Sequence, residues 1–117
     1  MSRYYEMSVE IFNYNHEKQT EIEEAAEDEW EFDEEWYCRF PEDGSPLMSN
    51  SGRSYLTGGE SEEEFTQRLT EAVWKANEAF CRVVIIATCL EEIPCETHEL
   101  DKNAYQAFLT KENGKGK

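Results

Sequence analysis

The chain has 117 residues, of which 27 are acidic and 11 are basic, and its formal net charge at pH 7 is −16. A surface this acidic repels phosphate groups, so we expect no direct binding to nucleic acid or to an anionic membrane. No apolar run approaches the roughly 18 residues of a membrane-spanning helix, and the N-terminus lacks the apolar stretch of a signal peptide, so a cytoplasmic location is expected.

The composition indicates one folded domain despite its polarity. Leucine, isoleucine, valine and phenylalanine together number only 21, a content close to that of disordered chains. Aromatic residues make up 13% of the chain, however, and disordered chains are poor in them. We therefore predict a single acidic domain over residues 1–112 and a flexible tail over residues 113–117, which has nothing to bury.

The first predicted elements are a strand and a highly charged helix. Apolar and polar side chains alternate over residues 5–12, which predicts a strand with one buried face. The polar residues 13–15 end this strand and can cap a helix over residues 16–30. The apolar stripe of that helix is narrow and consists of Ile22, Ala25, Ala26 and Trp30. We expect this helix to contact the core along a thin line and to leave most of its surface in water.

The middle of the chain predicts a wide hairpin. Residues 35–40 alternate in polarity and predict a second strand. Residues 41–52 are rich in proline, glycine and serine and predict a long loop. Residues 53–57 return as a third strand, which two glycines end.

The second helix has the clearest sequence signals. Ser61 followed by Glu64 is a capping box, in which each side chain bonds the free backbone N–H of the other residue. Apolar residues then repeat at helical spacing. They are Phe65, Leu69, Ala72, Val73, Ala76 and Phe80.

The C-terminal third predicts two strands and a last helix. Residues 81–90 contain an unbroken β-branched run, which indicates a strand buried on both faces. After a proline, residues 95–100 form a short fifth strand folded back on the fourth. Asp101 can cap a final helix that carries Tyr105 and Phe108.

This order of elements predicts the fold class. The succession β-α-β-β-α-β is that of the ferredoxin-like α+β fold, with two helices on one face of an antiparallel sheet and here an extra C-terminal strand or short helix. In that topology the fourth strand lies at an edge, although it is the most apolar strand of this chain. We expect the fifth strand or the final helix to cover that edge.

Metal binding and catalysis have weak support in the sequence. Cys89, Cys95 and His98 lie close together, but structural zinc sites use a tighter cysteine pair. Asp33 stands where a calcium-binding EF-hand loop requires glycine. A Cys95–His98 catalytic pair would have no obvious orienting group. We therefore expect no cofactor, no metal and no enzymatic activity, and we interpret the cysteines as thiols that include small core residues.

The strongest signal is the acidic stretch over residues 17–35, which holds 11 carboxylates and one base, Lys18. On a helix, residues three and four apart share a face, so several of these carboxylates form a line. Their spacing of about 6 Å, at 1.5 Å rise per residue, is comparable to that of phosphates. The candidate partner-binding carboxylates are Glu17, Glu21, Glu24, Asp28, Glu31, Asp33, Glu34 and Glu35.

Two interpretations of this charge remain open. In composition the chain resembles the acidic inhibitor proteins that phages and plasmids direct against host nucleic-acid-binding enzymes. That resemblance implies a non-catalytic module that mimics nucleic acid and occupies the basic groove of a partner such as a nuclease. The alternative is a small accessory domain or subunit whose acidity serves solubility. The sequence does not indicate the oligomeric state.

Trp74 is a further candidate for the binding surface. It follows Phe65 by nine residues, which places it about 180° around the predicted helix from the core stripe. An exposed tryptophan among carboxylates is a typical interface anchor. The alternative is that a loop or the final helix covers it.

Overall fold

The computed structural model describes residues 3–33, 35–39, 46–56, 60–90 and 95–115. The strands are β1 (Arg3–Phe12), β2 (Tyr37–Arg39), β3 (Leu47–Leu56), β4 (Arg82–Cys89) and β5 (Cys95–Glu99). The helices are α1 (Gln19–Glu29), α2 (Glu62–Asn77) and α3 (Lys102–Lys115), and a 3-10 turn over His16–Lys18 leads into α1. The predicted α+β class is confirmed.

The strands form one antiparallel sheet in the order β2-β3-β1-β4-β5. Val9 at the centre of β1 lies between Asn50 of β3 and Ile85 of β4. One face of the sheet carries the buried side chains of β1 and packs against α1 and α2. The core residues from the two helices are Ile22, Ala26, Phe65, Leu69 and Val73. We call this the helix-covered face of the sheet and the other the open face.

The third strand is longer than the sequence predicted. The expected loop through residue 52 is wrong, because β3 begins at Leu47 and pairs with β1 along the whole length of both strands. The positions of β3 that face the helices include Met48, Asn50 and Gly52, all of them buried. Asparagine and glycine interrupt the apolar alternation that would have revealed this strand in the sequence.

The fifth strand covers the apolar fourth strand. Val83, Val84 and Ile85 are all buried, as predicted for a strand with neighbours on both faces. β5 pairs with the outer side of β4, where His98 lies opposite Ile85. The expectation that a fifth strand protects the edge of β4 is therefore confirmed.

The second helix begins as predicted and ends earlier. The Ser61 backbone N–H donates to Glu64 Oε1 at 2.9 Å, and the Glu64 N–H donates to Ser61 Oγ at 3.1 Å, which completes the capping box. The helix ends at Asn77, because Glu78 adopts the left-handed conformation with φ of 62°. Phe80 therefore packs against the core from the segment after the helix.

The last helix packs on α2 and is longer than expected. Asp101 Oδ1 accepts from the Ala104 N–H at 2.9 Å, which confirms its predicted role as a cap. Phe108 is buried in the core cluster. The helix continues to Lys115, so residues 113–115 of the predicted tail are helical, and the last two residues lie outside the described part of the chain. None of the described helices is long and apolar enough to cross a membrane.

Two buried hydroxyl groups of α2 provide a test of its packing. Among the described residues, Thr66 Oγ1 and Thr70 Oγ1 find no hydrogen-bond partner. Because valine has nearly the same shape and no unsatisfied polar group, Thr70→Val should raise the free energy of unfolding by about 1 kcal/mol. Urea denaturation measures this change, with Thr20→Val on the exposed side of α1 as the control. A loss of stability in Thr70→Val would show that the hydroxyl is paired.

Candidate protein-interaction surface

The solvent-facing side of α1 presents a row of carboxylates. Ile22 and Ala26 turn toward the sheet, so the opposite side of the helix lies in water. There the exposed side chains of Glu21, Glu24 and Asp28, together with Glu17 from the preceding 3-10 turn, form what we call the acidic ridge. The side chains of Glu21, Glu24 and Asp28 make no hydrogen bond or ion pair with any described residue. The structure thus brings these four sequence-predicted residues together on one surface.

The nearest base does not neutralise the acidic ridge. Lys18 Nζ forms an ion pair with Glu78 Oε2 at 2.7 Å, across to the end of α2. Hydrogen bonding to Glu78 and its charge raise the pKa of Lys18, and the charges of Glu21 and Glu17 add to this effect. Lys18 therefore tethers the start of α1 to the end of α2, and its direct ion pair is with Glu78 rather than with a ridge carboxylate.

The acidic segment that follows α1 is anchored to β3. Trp30 is buried, and its Nε1 donates to the carbonyl oxygen of Gly52 at 3.0 Å. The Asp33 N–H donates to the Ser51 carbonyl oxygen at 3.0 Å, and the Arg53 N–H donates to Asp33 Oδ2 at 3.0 Å. These bonds fix the path of the backbone between residues 30 and 33, so Glu31 and Asp33 project from defined backbone positions.

Exposed carboxylates continue along this anchored segment. Glu31, Asp33 and Glu35 are exposed, although the carboxylate of Asp33 is partly engaged by the Arg53 N–H. Glu34, the remaining candidate of the stretch, lies outside the described residues. The hydrogen bond from Trp36 Nε1 to Glu27 Oε2, at 2.9 Å, ties the end of the segment back to α1.

Gly52 makes this close approach possible. A Cβ atom at this position would lie 2.1 Å from the Glu31 carbonyl oxygen and 2.7 Å from the Phe32 Cα. Both are backbone atoms, so they cannot rotate away as the end of a side chain could. The absence of a side chain at Gly52 is therefore what allows the acidic segment to lie against β3.

An acidic cleft of about 630 Å³ joins the end of α1 to β3 and α2. Five carboxylates line it, and the described lining residues include one base, Arg68. The acidic residues are Glu27, Asp28, Glu29, Glu31 and Glu60. The last turn of α1 contains no basic residue, so the partial negative charge of the helix C-terminus adds to theirs. Asp28 belongs both to this cleft and to the acidic ridge, which makes the two surfaces continuous.

Arg68 neutralises only part of the cleft. Its guanidinium donates to Glu29 Oε1 at 2.7 Å and to Glu60 Oε1 at 2.8 Å, which links the end of α1 to α2. Hydrogen bonding to Glu60, reinforced by Glu29 and opposed by partial burial, raises the pKa of Arg68 above its ordinary value. Three carboxylates of the cleft remain without this base, so the cleft suits a cationic side chain of a partner.

Trp74 is not part of this surface. It lies opposite the Phe65 stripe as the sequence predicted, but only 1% of the residue is exposed. Its ring packs against Tyr105 and Phe108 of α3 and against Phe80. Its Nε1 donates to the Cys81 carbonyl oxygen at 2.8 Å. The prediction of an exposed anchor is therefore wrong. The alternative, that the final helix covers Trp74, is confirmed, because Tyr105 and Phe108 of α3 pack against its ring.

The described thiols have the properties of structural groups. Cys38, Cys81 and Cys89 are free. Burial raises the pKa of Cys81 to about 12, and burial together with the charge of Glu23 raises the pKa of Cys38. Both groups therefore stay protonated at neutral pH, where a thiolate nucleophile or ligand would be ionised.

The raised pKa of Cys81 predicts a pH effect on stability. Since the folded state keeps a proton that the unfolded chain releases above pH 9, the free energy of unfolding should fall as pH rises from 9.0 toward 12. Between about pH 8 and about pH 10, wild type should lose about 1 kcal/mol more than Cys81→Ala, as urea denaturation can measure. Equal losses in the two proteins would mean that the thiol is accessible to water.

Comparison of the chain with protein-family models, with curated proteins and with solved structures found no match. The surface must therefore be interpreted from its own chemistry.

The sequence predicted the carboxylates of the acidic ridge but not the tertiary contacts that hold the neighbouring segment in place. The helical spacing of carboxylates placed Glu21, Glu24 and Asp28 together. The anchoring of the acidic segment and the pairing of Arg68 with Glu29 depend on contacts between residues distant in sequence. The one local signal was a glycine in the middle of a polar run, at position 52, which marks a close backbone approach.

Proposed function

We propose that this protein is a non-catalytic interaction module whose acidic ridge and acidic cleft bind a basic protein surface, in the manner of a nucleic-acid mimic. Its partner would be a nucleic-acid-binding enzyme, such as a nuclease, whose groove the module occupies. The observation that carries the proposal is that the unpaired carboxylates of α1 continue into a segment that Trp30 and Asp33 attach to β3 by hydrogen bonds.

Preorganisation distinguishes this arrangement from charge kept for solubility. Solubility requires only that carboxylates be exposed, and a flexible segment would serve it equally well. A mimic requires charges in fixed positions, because an ordered surface loses less conformational entropy when it binds. The three hydrogen bonds between residues 30–33 and β3 order this segment before binding, as a nucleic-acid mimic requires.

Charge pairing elsewhere on the chain supports the same distinction. Six glutamates outside the ridge form ion pairs with lysine or arginine: Glu6, Glu29, Glu60, Glu71, Glu78 and Glu99. The described part of the chain thus uses its bases to tie its elements together. The acidic ridge is left as the surface where an external cation adds the most favourable contacts.

The fold proposal rests on strand order and pairing. We propose a ferredoxin-like core made of β1, α1, β2, β3, α2 and β4, extended by β5 and α3. The order β2-β3-β1-β4 and the antiparallel pairing of each neighbouring pair support it. This fold hosts many functions, so the functional proposal depends on the surface alone.

Parallel capture from a lysate of the native host tests the functional proposal. The baits are wild type, a ridge variant and a control variant. The ridge variant carries Glu21→Gln, Glu24→Gln and Asp28→Asn. The control variant carries Glu10→Gln, Glu63→Gln and Glu99→Gln, away from the ridge. Both remove three carboxylates and so have the same net charge.

The two variants should behave differently. Wild type and the control variant should retain the same nucleic-acid-binding protein, and the ridge variant should bind the purified partner at least tenfold more weakly, mainly through slower association. If both variants retain the partner as well as wild type does, the acidic ridge is a solvated surface and the proposal fails.

A further inference from the structure

A second cluster of polar side chains lies away from the acidic ridge, where β5 meets the start of α2. His98 is on the helix-covered face of β5, two residues after Glu96, so both side chains point toward the first residue of α2, Glu62. His98 Nε2 lies 2.8 Å from Glu62 Oε1 and 3.7 Å from Glu96 Oε2. The three potential ligand atoms all lie within 4.8 Å of one another.

The cluster combines two carboxylates with a single imidazole. One imidazole nitrogen faces two carboxylates, and a single N–H at that nitrogen can be donated well to only one of them. The Glu62 and His98 side chains are 19% and 13% exposed, so water screens their charges only in part. Glu96 is 65% exposed at its side chain, which leaves one side of the cluster open for a ligand to enter.

We propose that Glu62, Glu96 and His98 bind one divalent zinc ion. One nitrogen and two carboxylate oxygens form a donor set that zinc accepts, with a water molecule completing four ligands. Ligands around tetrahedral zinc lie about 3.3 Å apart. The 2.8 Å and 3.7 Å distances from His98 are close to this value, and the two glutamate oxygens lie within 4.8 Å of each other. Calcium and magnesium prefer oxygen ligands alone, and the imidazole therefore favours zinc.

The surroundings hold the ligands in place. The Tyr5 hydroxyl donates to Glu62 Oε2, the second oxygen of that carboxylate, at 2.6 Å. A hydrogen bond of this kind orients a metal-binding carboxylate and is typical of the residues that surround metal sites. Because the ligands come from β5 and α2, a bound ion fastens the fifth strand to the helix layer. The site thus has a structural role, separate from the proposed partner-binding surface.

The sequence did not predict this site. His98 was considered with Cys89 and Cys95, at a spacing that does not suit zinc. In the structure Cys95 pairs with Thr88 on the neighbouring strand, and His98 meets two glutamates instead. The local signal was the alternation of Glu96 and His98, which places both on one face of a strand. Glu62 joins them only through the packing of α2.

Competition with a chromogenic zinc chelator tests the proposal, using full-length protein from which any histidine tag has been removed. The variants are Glu96→Gln and His98→Gln. The control is Glu99→Gln, which removes a carboxylate of the same strand that pairs with Arg82. Wild type should bind one zinc ion per chain, and each ligand variant should bind it at least tenfold more weakly. The control should stay within twofold of wild type.

Thermal unfolding gives a second readout. Excess zinc should raise the midpoint of wild type and of the control by several degrees and should leave both ligand variants unchanged. Because Glu96 is exposed, Glu96→Gln keeps the test valid even if His98→Gln fails to fold. The proposal is overturned if wild type does not bind zinc, if Glu96→Gln binds it as tightly as wild type, or if several ions bind each chain with affinity lowered equally in all three variants.

Discussion

Gly52→Ala should destabilise the protein by about 3 kcal/mol, a large loss for a change of one methyl group. The added Cβ would lie 2.1 Å from the Glu31 carbonyl oxygen, far inside van der Waals contact. Relief requires the acidic segment to move away from β3, which stretches the bonds from Trp30 Nε1 to Gly52 and from the Asp33 N–H to Ser51. Urea denaturation followed by circular dichroism measures the loss.

The matched control for this substitution is Ser51→Ala. Ser51 is the neighbouring residue of β3, and its side chain belongs to the open face of the sheet. The Asp33 N–H donates to its backbone oxygen, which alanine retains. Its replacement should cost less than about 0.5 kcal/mol. If Gly52→Ala is as stable as Ser51→Ala, then the acidic segment does not lie against β3 and the claim that its charges are preorganised is lost.

Trp74→Ala should cost about 3–5 kcal/mol, because it removes the largest fully buried side chain of the described core. The ring centroid lies 5.0 Å from that of Tyr105 and 5.8 Å from that of Phe108, so its loss would detach α3 from α2. An interface anchor would behave in the opposite way, since its removal would weaken binding and leave stability unchanged. The same denaturation experiment distinguishes the two roles.

Two further variants separate the contributions of Trp74. Trp74→Phe keeps most ring contacts but leaves the Cys81 carbonyl oxygen without its donor, so it should cost about 1–3 kcal/mol. Tyr37→Ala removes an aromatic ring that is 60% exposed and should change stability by less than about 1 kcal/mol. A Trp74→Ala loss no greater than that of Tyr37→Ala would contradict the burial of Trp74 under α3.

Features that depend on residues close in sequence were predictable, and features that depend on residues far apart in sequence were not. The capping box at Ser61 and the cap at Asp101 were predictable, because each depends on residues three positions apart. The orientation of Trp74 on α2 was also predictable from helical periodicity. The sequence left open whether a loop or the final helix covers it or whether it is exposed, since α3 lies about 30 residues further along the chain and its packing is a tertiary contact.

The third strand shows a different limit. Its core-facing positions contain Asn50 and Gly52, which sequence patterns assign to loops. Asn50 lies opposite Val9 of β1, and the backbone of the acidic segment lies directly against Gly52. The absence of a side chain at Gly52 allows this close approach, so the hydrophobic alternation that identifies strands is interrupted where the two backbone segments meet.

Displacement of nucleic acid tests the central claim, that the acidic ridge occupies a nucleic-acid groove of its partner. The purified partner is first loaded with a fluorescently labelled oligonucleotide, and the protein is then added while anisotropy is measured. Wild type should release the oligonucleotide at a one-to-one ratio, and the ridge variant should need at least tenfold more protein. If wild type instead joins a complex that keeps the oligonucleotide bound, the ridge does not occupy that groove and the account of this protein as a nucleic-acid mimic is wrong.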